Sequence, residues 1–159
     1  MTAVTIDLND QAIINALRQL TYSANHLEPA LEEIGAAVRA SIDLNFTGQH
    51  DPNGNPWEPL SEATLLNRTS GSGQILRDMG LLNRSITYNV KAESVEIGSM
   101  SVVDGTNLKY ANMMQSGGKK TDFPWLWGDI PERPFVGVSE ADKVQILAIL
   151  SGYLERSIG

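Results

Sequence analysis

A chain of 159 residues, 42% hydrophobic and 19% charged, has the size and make-up of one globular domain with a core that needs no metal or disulfide staples. It contains no cysteine, which excludes disulfides, thiolate metal sites and a cysteine nucleophile. Its 12 Lys and Arg against 19 Asp and Glu leave a net charge of −7, and the basic residues are scattered, so tight nucleic-acid binding is not expected.

Residues 1–10 carry no Lys or Arg, and no run of about 18 apolar residues occurs, so neither a secretory signal nor a membrane span is expected. The cytoplasm is the expected place of synthesis. Val4, Ile6 and Leu8 alternate with polar residues as a short strand does. Asn9 or Asp10 then caps a helix with the apolar stripe Ile13, Ala16, Leu17 and Leu20. Glu28-Pro29 restarts a helix carrying Leu31, Ile34, Val38 and Ile42, either as a second helix or beyond a kink. Proline and glycine punctuation from Phe46 to Pro59 predicts a long loop.

Ser61 caps a short helix through Asn67, and Thr69 to Gly73 reads as a flexible loop. Asp78 is placed to cap a helix from Met79 to Ser85, with Leu82 and Ile86 on one side. Ile86-Tyr88-Val90 and Val95-Ile97 predict a β-hairpin turning at Lys91 to Ser94. Leu108 to Gln115 is a helix ended by Gly117-Gly118, and Lys119 to Asp129 an exposed loop. Pro134 to Val138 is a strand candidate, and Ser139 with Asp142 forms a capping box for the last helix. That helix has two apolar stripes: Val144, Leu147, Leu154 and Ile158, and Ile146, Leu150 and Tyr153. So wide an apolar face calls for burial in the core or against a neighbouring subunit. The class is α+β: N-terminal helices and a long C-terminal helix packed on a small antiparallel β-sheet, with long loops, in a single domain over residues 1–159.

No constellation for catalysis stands out. His26 and His50 lack partners at metal-ligand spacing, and no Gly-x-Ser-x-Gly elbow occurs. Asp51-Pro-Asn53-Gly-Asn55 resembles the opening of a calcium loop, but Pro56 stands where that loop needs glycine. A rigid turn, with Asp51 bonding its own backbone, is the better reading. No cofactor and no metal site is expected. Arg77, beside Asp78, and Arg133, before Pro134, suit structural clamps or interface anchors, the alternative for each being a solvated surface charge. Trp57 reads as a residue tucked under its own loop. Phe123, Trp125 and Trp127 in the exposed loop, with Ile146, Leu150 and Tyr153, are the expected interface.

Several segments, taken in order, resemble the phage virion morphogenesis (tail completion) family. They are Phe46 with Asp51-Pro-x-Gly-x-Pro-Trp57-x-Pro-Leu60-Ser61, Ile75-Leu-Arg77-Asp78-x-Gly80-x-Leu82 with Ser85-Ile86, and Val95-x-Ile97-Gly98. Tyr110-Ala111, Gln115-x-Gly-Gly118 and Ile130-Pro-x-Arg133-Pro134-Phe135-x-Gly-x-Ser139 with Asp142 complete the set. Two departures are Met114-Gln-Ser116-Gly117, where the family often has His-Gln-Phe-Gly, and Glu132, where it has alanine. The resemblance implies a structural subunit, not an enzyme, for tail completion or head–tail joining at the neck; the alternative is an assembly chaperone or adaptor absent from the virion. It implies a ring-like homo-oligomer, a hexamer by expectation, beside tail tube, terminator or head-connector proteins. DNA would pass through without specific binding, and no membrane would be involved. Trp57, Arg77, Asp78, Arg133, Pro134 and Phe135 then become structural motif residues, and Gly80, Gly98 and Gly118 permit tight turns.

Overall fold

A computed structural model describes residues 11–68, 70–99, 106–124, 126 and 128–158. The strand expected at Val4 to Leu8 lies outside these residues, as do Trp125 and Trp127. Among the described residues six helices and a two-stranded antiparallel sheet form an α+β fold.

The chain breaks after α1 (Gln11–Ala24) and restarts at α2 (Glu28–Gly48), with Pro29 in its first turn. These are two separate helices, because proline tolerates only the start of a helix. Helix α2 is the spine. Leu31, Ile34, Val38 and Ile42 recur at steps of three and four, so one side of the helix is buried along its length. The helix runs past Phe46, where the sequence predicted a loop. Phe46 is itself core, 1% exposed, and its burial on the same stripe carries the helix one turn further, to Gln49 in the left-handed region.

The hairpin lies against α2. Strands β1 (Ile86–Val90) and β2 (Val95–Ser99) pair from Ile86↔Ser99 to Val90↔Val95, and Lys91 N–H donates to Ser94 O at 2.8 Å. Gly35 permits the approach: a Cβ there would lie 2.4 Å from the Tyr88 ring. Arg39 fastens the two elements, donating to Ile86 O at 2.8 Å and Asn83 O at 3.0 Å while pairing with Asp43 on its own helix.

Ser61 caps α3 (Glu62–Leu66) by accepting from Thr64 N–H at 3.2 Å. Asp78 does not cap the following helix. Helix α4 (Leu81–Ser85) starts later, after Gly80 at φ +71°, while the Asp78 carboxylate accepts from the Ser70 N–H and hydroxyl. Leu82 and Ile86 enter the core together. Helix α5 (Thr106–Ser116) stops at Gly117, whose φ is +72°. Helix α6 (Glu140–Arg156) opens on the expected capping box of Ser139 and Asp142. It packs on α2, with Ile146, Ile149 and Leu150 half-buried against the core. Pro134 to Val138 is not a strand: the chain bends at Val136, and side chains take the place of a neighbouring strand.

Candidate functional site

Residues 74–90 positions apart meet in a clasp between the loop after α2 and the segment before α6. On the loop side, Asp51 folds the chain back on itself. Its carboxylate accepts from Asn53 N–H, Asn55 N–H and Asn55 Nδ2 at 2.8–2.9 Å. These bonds make the rigid turn and hold the carboxyl below its ordinary value, the Asn55 side chain contributing most. His50 and Pro56 bridge across the turn, and Trp57 N–H donates to Gln49 O at 2.9 Å. Trp57 is thereby directed inward at 4% exposure, its ring edge-on to Phe46 with centroids 5.7 Å apart. Phe135 closes the aromatic cluster at 5.4 Å from Phe46.

Polar groups grip the segment's main chain. Trp57 Nε1–H donates to Pro134 O at 2.8 Å, and Asn45 Nδ2 to Phe135 O at 3.2 Å. Gln115 binds from the end of α5: its Oε1 accepts from Phe135 N–H at 3.0 Å and Val136 N–H at 3.1 Å, and its Nε2 donates to Val136 O at 2.9 Å. These bonds account for the absence of a strand, since buried main-chain groups need partners of some kind. Arg133 reaches the other way, donating from Nε to Glu58 O at 2.8 Å and from Nη2 to Pro59 O at 3.1 Å. It is only 6% exposed. Burial pushes its guanidinium down from the ordinary value and nearby Glu58 pushes it back up, but an arginine remains charged across the working range. Gly118 and Ile130 bridge with bonds of 2.9 and 2.7 Å, and Arg133 N–H donates to Met114 O at 2.8 Å. Gly117 sits inside this junction, where a Cβ would meet Ile130 O at 2.9 Å and Glu132 N at 3.0 Å.

Of the motif residues, Trp57, Arg133, Pro134 and Phe135 therefore meet in one place. Asp78 instead organises the loop at Ser70, and Arg77 is half-buried with no hydrogen bond or ion pair among the described residues. The left-handed glycine after α5 is Gly117 and not Gly118, and Gly98 lies in the paired strand β2. Sequence reasoning missed Asn45, Arg39 and the role of Gln115. No local signal marks them, since each acts on main chain 20 or more residues away. Of the expected interface residues, Phe123 is half-buried beside Gly118. Ile146 and Leu150 face the core, and Tyr153 Oη donates to His26 O. The apolar side chains that α6 turns to solvent are Val144 and Leu147, at 69% and 64% exposure. Among the described residues no group of three or more His, Asp or Glu side chains could hold a metal ion, and no helix is long and apolar enough to cross a membrane.

The clasp draws on Trp57, Gln115 and Arg133, and all three lie within residues 8–155, which match the phage virion morphogenesis family. The chain belongs to that family. Tail completion protein S of Escherichia phage P2 is 29% identical over 133 residues, covering 78% of this chain and 81% of that protein. No solved structure matches. In this phage virion morphogenesis protein Trp57, Arg133, Pro134 and Phe135 join the loop after α2 to the segment before α6. The family is one of virion assembly, not a class of enzymes.

Proposed function

We propose that this protein is a structural subunit that completes the phage tail, acting at its head-proximal end or at the head–tail joint. The observation that carries the reading is the family match over residues 8–155, supported by the likeness to a tail completion protein along four-fifths of that relative. The subunit works as a ring-like homo-oligomer, a hexamer by expectation. Its neighbours are tail tube, terminator or head-connector proteins, and its place is the finished virion. A net charge of −7 suits a conduit through which DNA passes without sticking, since like charge repels phosphate.

The test is a phage carrying a nonsense codon in this gene. Electron microscopy of its lysates is expected to show filled heads beside unjoined tails, with infectivity restored by the purified protein. Normal particles would refute the reading. Mass spectrometry of purified virions then checks the location: a required protein absent from particles would be an assembly factor, not a subunit. Micromolar binding to duplex DNA at physiological salt would overturn the inert-conduit reading.

A further inference from the structure

Helix α1 is a 14-residue amphipathic helix whose apolar surface stays in part exposed among the described residues. Ile13 and Leu17 are 41% and 53% exposed, and its one buried residue is Ser23, in the last turn. The attachment to the body is made at that end. Ser23 Oγ donates to Ser157 Oγ at 2.6 Å, just past the end of α6, and Tyr153 bonds His26 O in the following break. A helix of about this length is marginal in water unless an apolar face is covered.

The same chain carries a second stripe of matching form, in which Leu147 and Ile158 are exposed and Leu154 is half-buried. On α1 the residues Ile13, Leu17, Leu20 and Ala24 step by four, three and four. On α6 and the turn after it, Leu147, Ser151, Leu154 and Ile158 step by four, three and four, with Val144 one step before them. Each stripe is about 16 Å long at the rise of an α-helix. Such alternate spacing is the seam along which two helices interlock. Laid antiparallel, Ile13 meets Ile158, Leu17 meets Leu154, Leu20 meets Ser151 and Ala24 meets Leu147. In that register Arg18, the sole charge on α1, falls beside Glu155 on α6. Both side chains are exposed, and neither has an ion pair among the described residues.

We infer that α1 is an arm that docks on the outer face of α6 of a second copy of this chain, antiparallel, with Arg18 against Glu155 of that copy. Among the described residues the bond between α1 and the end of α6 within one copy lies at the C-terminal ends of both, and Ile13, Leu17 and Leu147 stay exposed. A second copy brings the missing surface. The contact joins two different faces, so each copy gives one arm and receives another, the head-to-tail arrangement that closes into a ring or extends as a filament. The inference rests on the homo-oligomer of the proposed function and names the surface that builds it.

The experiment is sedimentation velocity with native mass spectrometry on the full chain, at fixed salt, for the parent, Arg18→Glu, Glu155→Arg and Leu17→Asp. The parent is expected to associate, and either charge reversal to weaken association roughly tenfold. An equimolar mixture of the two charge variants should recover the arm-to-face contacts and form assemblies in which the two variants alternate, which an ion pair within one chain could not do. Leu17→Asp should abolish assembly, with circular dichroism confirming that the rest of the fold stands. A parent that stays monomeric overturns the inference. So does association that neither charge reversal alters, but that outcome leaves the oligomer itself in place on another face. Complementation of the nonsense phage tests the tail role separately, so failure of the arm and failure of that role are told apart.

Discussion

Replacing Gln115 by alanine removes three hydrogen bonds at once: those from Phe135 N–H and Val136 N–H, and the one to Val136 O. Each such bond contributes about 0.5–1.5 kcal/mol net, and a buried donor left without a partner costs about 1–3 kcal/mol. Phe135 is 2% exposed, so water cannot easily replace the lost acceptor on its N–H. A loss of about 3 kcal/mol follows. For a chain of this size that corresponds to a fall of roughly 6–12 °C in the melting midpoint. Equilibrium urea unfolding at fixed protein concentration measures it directly, the concentration being held because association would add to apparent stability. Gln115→Met keeps the bulk without the bonds and should lose nearly as much. Either variant unfolding within about 1 kcal/mol of the parent would refute the assignment of the clasp to these bonds.

Three further outcomes follow from the same geometry. Burial opposes ionisation of Asp142, but the Ser139 hydroxyl, Ser139 N–H and Ser41 together hold its carboxyl below 3.8. Its contribution is therefore present above that pH and lost as pH falls through the lower folded value. Asp142→Asn should destabilise by about 1 kcal/mol at pH 7, and the gap to the parent should close in urea titrations as pH falls below the ordinary carboxylate range. Gly117→Ala combines a φ of +72° with contacts near 3 Å to Ile130 and Glu132, and should cost about 1–3 kcal/mol by thermal melting. Arg133→Lys cannot span Glu58 O and Pro59 O from a single ammonium as the guanidinium fork does. It should lose about 2 kcal/mol, with earlier protease cleavage in the loop before α3.

What the sequence made legible was whatever depends on near neighbours. The α2 stripe, the hairpin and its turn, the Ser61 cap and the Ser139–Asp142 box each rest on spacings of two to four residues, and each was found. The misses have long-range causes. Phe46 looked like loop because glycines and prolines follow it, yet its own burial against Trp57 and Phe135 extends the helix. Pro134 to Val138 looks like a strand because its residues suit extended backbone, but the chain bends at Val136. The partner it lacks is replaced by Gln115 and Asn45, whose reach depends on tertiary placement. Asp78 looked like a cap because of its position, but Ser70 competes for the same oxygens. In the last helix the sequence showed two stripes without showing which one α2 would cover.

The clasp also sets an order of events. Arg133 and Trp57 tie segments about three-quarters of a hundred residues apart, and Asn45 reaches across 90. Contacts so distant along the chain close late, after the entropy of a long loop has been spent. A nascent chain therefore holds α2 with an open apolar flank until Phe135 has emerged from the ribosome. A truncation just before Arg133 would leave every helix up to α5 written in the chain and the core still unsealed, so a product only a sixth shorter should be cleared as unfolded protein.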